Sequence, residues 1–354
     1  MQKKIIALAV AALASSAAFA QTNVTVYGIA DASITATSTL GDEGAATQTV
    51  YKVNSGTLST SRIGFKGVED LGNGLKALFT LEYGLAIDEA RPVGYSTTTS
   101  ATARQQFVGL TGGFGTVVAG HLQTTGLDFT LAGSALGGST SLGATNVVET
   151  GSGGLMASAN THLISALAGG RHQNAVAYIS PSFGGLTIAY NHARVTESAN
   201  TTGTSDTHGQ LLSASYANGP ITAGAIFTRV TQPGEASVAP NITEWGLRAG
   251  YDFQVVKLQA TYQRAKVQEV DADSKWVVSV SAPVGAKAAV IAEYAHVGVN
   301  STAGDDNVNA ATLAATYSLS KRTTAYAGVV AKRVQGGAVG GDTNTYALGL
   351  RHSF

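Results

Sequence analysis

The sequence predicts an all-β fold, a transmembrane antiparallel β-barrel of sixteen strands. Three observations predict it. Runs of about ten residues alternate in polarity along almost the whole chain, which is the pattern of strands with lipid on one face and water on the other. Tight turns alternate with long polar connections. The last twelve residues, TNTYALGLRHSF, place Tyr346, Leu348, Leu350, His352 and Phe354 on one parity and Thr345, Ala347, Gly349, Arg351 and Ser353 on the other, and the chain stops on a bare aromatic.

The first element is a secretory signal. Met1-Gln2-Lys3-Lys4 is a short positive region, residues 5–14 are an apolar run, and Ala18-Phe19-Ala20 has the small-x-small form of a cleavage site. The expectation is a cleaved segment 1–20 and a mature barrel over residues 21–354. Without Lys3 and Lys4, 20 basic residues face 22 acidic ones. No basic run or basic excess points to nucleic acid. Only 12 % of residues are charged, against about a quarter in soluble domains. After residue 20 no segment offers the ~18 consecutive apolar residues of a membrane helix. Cysteine is absent, so an exported chain of this kind holds together without disulfides.

The strands follow in order. Period-two runs bounded by turn residues cover 24–36, 50–67, 75–85, 102–110, 115–122, 173–180, 186–194 and 209–217 in the first half. The second half gives 221–230, 243–252, 255–268, 275–281, 287–297, 308–318, 323–333 and 343–354. Every second connection is tight, among them Gly72-Asn73-Gly74, Gly112-Gly113-Phe114, Asn218-Gly219-Pro220 and Pro283-Val284-Gly285. Asn-Gly and Gly-Gly supply the positive φ that short hairpins need. The others are longer and polar, and residues 123–172 form by far the longest. Short and long connections therefore sit at opposite ends of the barrel, and an even strand number brings both termini to the short-turn end.

Parity assigns the faces. Over 75–85, Leu75, Ala77, Phe79, Leu81, Tyr83 and Leu85 oppose Lys76, Leu78, Thr80, Glu82 and Gly84. Ile63 and Phe65 oppose Arg62 and Lys66, and Trp245, Leu247, Ala249 and Tyr251 oppose Gly246, Arg248 and Gly250. A charge facing lipid at mid-membrane costs about 2–4 kcal/mol, so the charged parity faces a wet interior. Sixteen strands enclose more space than side chains fill, which makes that interior an aqueous channel. Tyr251, Tyr294, Tyr317 and Tyr346 fall where interfacial girdles belong.

Several motifs recur in family order: Val24-Thr25-Val26-Tyr27-Gly28-Ile29-Ala30-Asp31, the long run from Ser61-Arg62-Ile63-Gly64-Phe65-Lys66-Gly67 to Gly72-Asn73-Gly74, Phe107-Val108-Gly109-Leu110, Phe114-Gly115-Thr116-Val117, Tyr178-Ile179-Ser180-Pro181 and the terminal Gly349-Leu350-Arg351-His352-Ser353-Phe354. In them the chain resembles the trimeric general-diffusion porins of Gram-negative bacteria, in particular the β-proteobacterial branch. The resemblance implies a homotrimer in outer-membrane lipid and lipopolysaccharide, and a third loop, about residues 123–172, folded into the lumen to narrow it. It implies that the barrel-assembly machinery reads Phe354. It maps the basic wall of the constriction onto Arg62 and Arg104, less tightly onto Arg171, with Asp128 and Glu149 as the loop acids that could face them.

The expected function is an aqueous channel for passive diffusion of small hydrophilic solutes and ions. Three arginines against two acids suggest a mild anion preference, because rings of charge bias ion sign. A substrate-selective channel on the same barrel is the alternative, and a surface adhesin or membrane hydrolase barrel lies further off. No enzyme motif supports the last: the seven histidines are scattered without metal-ligand spacing. No catalytic residue, metal or cofactor is expected.

Overall fold

A computed structural model describes residues 23–40, 47–91, 93–94, 103–148, 170–196, 207–231, 242–267, 272–301, 304–335 and 341–354. The signal segment lies outside them. The first strands are β1 (Asn23–Thr39), β2 (Gln48–Ser55), β3 (Arg62–Gly72), β4 (Leu75–Gly84), β5 (Ala103–Gly112) and β6 (Gly115–Gln123). Two helices follow, α1 (Thr125–Ala132) and α2 (Ala144–Val147). The wall resumes with β7 (Arg171–Ile179), β8 (Leu186–Thr196), β9 (Thr207–Asn218), β10 (Ile221–Thr231), β11 (Ile242–Asp252) and β12 (Lys257–Val267). It ends with β13 (Asp273–Val284), β14 (Ala288–Ser301), β15 (Gly304–Ser318), β16 (Thr323–Gln335) and β17 (Thr343–Ser353).

From β3 onward each strand pairs antiparallel with the next. The sheet closes through β1 and β17, from Ile29 opposite Ser353 to Thr39 opposite Thr343. The seam ends in a reciprocal pair, Gly28 N to Phe354 O and Phe354 N to Gly28 O, both at 3.1 Å. Closure leaves no unpaired edge in lipid.

The expected strand over 50–67 is in fact two. β2 pairs with the upper half of β1 and β3 with its lower half, so both occupy one wall position. The seventeen strands thus make a sixteen-stranded barrel. Between β2 and β3, residues 56–61 leave the sheet. Asp31 holds them: its Oδ2 accepts the Leu58 and Ser59 amides at 2.9 and 2.6 Å, and its Oδ1 accepts the Tyr326 hydroxyl at 2.5 Å. Asp31 is wholly buried, so each of these bonds offsets the desolvation of a carboxylate.

The faces divide as parity requires. Val24, Val26 and Ile34 of β1 point outward, and Asp31, Ser33 and Thr35 point inward. Tyr251, Tyr294, Tyr317 and Tyr346 are all exposed on the outer surface. The Asn73-Gly74 turn uses positive φ at both residues, 53° and 78°, as a two-residue hairpin demands.

The lumen is partly apolar where the loop lies. Thr124 caps α1 by accepting the Leu127 amide. Phe129 of α1 packs on Leu211, Ile226, Val230 and Ile242. Leu136, Leu142, Ala144 and Val148 pack on Ala295, Val308, Ala310, Ala314, Tyr326 and Val330. Burying each large side chain of the loop contributes about 1.5–3 kcal/mol. The inner wall of β9–β11 and β14–β16 is therefore a seat, and the loop is bound to it.

Candidate functional site

Polar pins run along the described part of the loop, residues 123–148. Thr125 N donates to Asn191 Oδ1 at 2.8 Å, and its hydroxyl meets that of Ser213. Gln259 Nε2 donates to Ala132 O at 2.9 Å, and Thr261 Oγ1 to Gly133 O at 3.2 Å. Glu293 of β14 is the main latch. It accepts from the Ser134 hydroxyl, from Leu136 N at 2.8 Å, from Ser279 Oγ at 3.0 Å and from Ala144 N at 3.2 Å. Farther on, Thr312 Oγ1 donates to Leu142 O, and Ser139 and Thr140 donate to Thr57 O and Gly56 O of the inward excursion. The described part of the loop thus lines the wall from β8 to β15 and touches residues 56–57. Across the lumen stand β3 to β7.

That facing wall carries the charge. Glu82 of β4 is buried, and Arg104 Nε donates to its Oε1 at 2.8 Å. Arg62 Nη1 lies 3.9 Å from the same oxygen, and Tyr27 donates to Oε2 at 3.1 Å. Arg62 Nε is fixed on Thr60 O at 2.9 Å. Arg171 donates to Gln123 Oε1 at 3.2 Å, and Gln123 Nε2 donates to Asp128 Oδ1 at 2.5 Å. Arg171 is also within electrostatic reach of Arg104, Glu82 and Arg62. The structure therefore brings Arg62, Arg104, Arg171 and Asp128 together. Asp128 is exposed to lumen water, yet the loop and wall atoms crowding it push its carboxyl above the ordinary 3.8, while Gln123 and Arg171 pull it back. Glu149 lies outside the described residues.

Arg104 reaches the cluster through a defect in the strand. Val108 and Leu110 point outward, so strict period two carried back along β5 would aim Arg104 at lipid. The register shifts there: Tyr83 faces Ala103, Glu82 faces Gln105, and Arg104 is the extra residue. Such a bulge re-aims a side chain, and here it turns a guanidinium onto Glu82. A second register shift follows Arg171 in β7, between His172 and Ala175, where Asn174 takes φ 52°.

Sequence reasoning placed Glu82 on the inner face but missed its part in the cluster. The only signal was that it is the one acid on the inner parity of its strand. It also missed Asp31 and Glu293, whose partners are far apart in the chain.

The profile of the Gram-negative porin family matches residues 7–337. The chain belongs to that family. Outer membrane porin protein 32 of Delftia acidovorans is 32 % identical over 377 residues that cover 100 % of both chains. An outer membrane porin of Bordetella pertussis is 27 % identical over 417 residues, again covering 100 % of both. Among solved structures, the anion-selective porin from Comamonas acidovorans superposes with a TM-score of 0.76 at 26 % identity, covering 94 % of this chain and 100 % of that one. This porin is an outer-membrane diffusion channel, and residues 124–148 of its long loop lie inside the barrel against the wall.

Proposed function

We propose that the narrowed lumen favours anions and that Arg62, Arg104 and Arg171 form its selecting wall. One observation carries the reading: three guanidinium groups gather with Glu82 on the wall, and residues 124–148 of the loop bring to them a single acid, Asp128, and no base. Among the described residues, this cluster sets three positive charges against two negative ones. In a confined water column such a charge raises local anion concentration and depletes cations. The solved porin from Comamonas acidovorans, named as anion-selective, supports the same sign.

Glu82 acts in this reading as a clamp. It holds Arg62 and Arg104 side by side, which two cations alone would resist. The pore is passive, and its working form is a homotrimer, as in the trimer form of OmpT of Vibrio cholerae, whose fold it shares at a TM-score of 0.62. The barrel-assembly machinery reads the exposed terminal ring of Phe354, and lipopolysaccharide surrounds the long-loop end.

Reversal potentials in planar bilayers under a potassium chloride gradient test the sign. Anion preference is expected, and a clear cation preference refutes the reading. Conductance that saturates with one solute would favour a substrate-selective channel instead.

A further inference from the structure

Below the loop, toward the short turns, lies a cleft of about 530 Å³. Its floor is the inner wall of β8–β13, and its roof is the loop around Leu131, Ala132 and Ser134. Arg248, Lys257, Gln259, Ser215, Thr222 and Thr187 line it, and no acid does so among the described residues. This is not the eyelet: Arg62, Arg104 and Arg171 belong to β3, β5 and β7, and none of them lines the cleft.

Arg248 is held for a purpose that its own contacts do not use up. One Nη2 donates to Ser215 Oγ at 3.1 Å, and the guanidinium carbon lies 5.9 Å from the centre of the Phe129 ring of α1. Its Nε is buried and has no hydrogen-bond partner. The group lies flat over Gly224: a Cβ there would come within 2.7 Å of Nε. Lys257 stands opposite Asp252 in the register, but Asp252 Oδ1 accepts the Gln254 amide in the turn at 2.7 Å. No ion pair joins Arg248 or Lys257 to a carboxylate among the described residues. Two cations that no carboxylate contacts directly, and several hydroxyls, around a roofed cleft have the chemistry that takes an oxyanion.

We propose that the Arg248–Lys257 cleft is a second binding station, on the short-turn side of the eyelet, for small oxyanions such as phosphate and carboxylates. It rests on the anion-favouring reading of the eyelet, because the station receives what the eyelet admits. Arg248 presents its fork to the anion, Ser215 and Thr222 offer hydroxyls, and Lys257 adds charge at the exit. Gly224 keeps the guanidinium flat.

Chloride currents through the full-length porin in planar bilayers, with inorganic phosphate added to one side and then to the other, test this. Phosphate is expected to inhibit more strongly from one side. Arg248→Ala with Lys257→Ala should raise the half-inhibiting concentration on that side about tenfold and leave the other side unchanged. Gly224→Ala, which keeps both charges, should weaken the same side about threefold by displacing the fork, and it serves as the test if the double variant does not assemble. Arg62→Ala should lower the anion preference read from reversal potentials and keep the excess inhibition. Equal inhibition from both sides, or an excess that survives the double substitution or Gly224→Ala, overturns the station. A cation preference of the unsubstituted pore overturns the eyelet reading and leaves the phosphate comparison readable.

Discussion

Replacing Glu82 with glutamine removes one charge from the eyelet with little change of shape. The amide keeps an oxygen for Arg104 Nε, now 2.8 Å from Glu82 Oε1, and a polar group for the Tyr27 hydroxyl, now at 3.1 Å. The electrostatic effect can be worked out. An ion passing about 6 Å from the carboxylate in water feels about 0.7 kcal/mol from it. At 0.1 M salt, a Debye length of about 10 Å cuts this to about 0.4 kcal/mol. Losing the charge should therefore raise anion permeability about twofold and lower cation permeability about twofold. The anion-to-cation ratio read from the reversal potential should rise about fourfold. The gain should shrink at 1 M salt, where the Debye length falls to about 3 Å. A ratio that does not move, or that moves toward cations, would show that ions pass beyond the reach of this cluster.

Two further substitutions probe the frame around the eyelet. Glu293→Ala takes the acceptor from two loop amides, Leu136 N and Ala144 N, at about 1–3 kcal/mol each, so single-channel records should become noisier while the barrel still assembles; a quiet trace at ordinary conductance would count against the latch. Phe354→Ala deletes the ring that covers Gly28 at the seam and should cut the yield of assembled pores while those that form conduct normally, so an undiminished yield on gels would contradict the role given to the terminal residue.

The wall was legible in the chain because its code is local. Alternation sets the face, and Asn-Gly or Gly-Gly sets the turn, so a strand such as β10 was expected over 221–230 and is found at Ile221–Thr231. The interruption at 56–61 was not legible. Its cause is Asp31, and the amides that Asp31 binds are 27 and 28 residues away. The eyelet was legible in its cations and not in its organisation. Arg104 obeys no simple parity, since a bulge turns it inward, and a bulge leaves no mark in residue types. Parity makes Glu82 an inner-face acid and no motif marks Glu293; only the closed barrel shows what each holds.

The inward excursion at 56–61 ties the bore of this channel to the shutting of its wall. Residues from the beginning of the chain, Asp31 and Thr57, from the loop, Ser139 and Leu142, and from near the end, Thr312 and Tyr326, meet in one bonded group. Until β17 reaches β1, that meeting place does not exist. A half-built sheet can thread its loop but has nothing to fasten the far end to. The fastening of residues 139–142 between the two ends of the chain therefore waits on the closing of the seam, whereas the Glu293 latch on β14 does not.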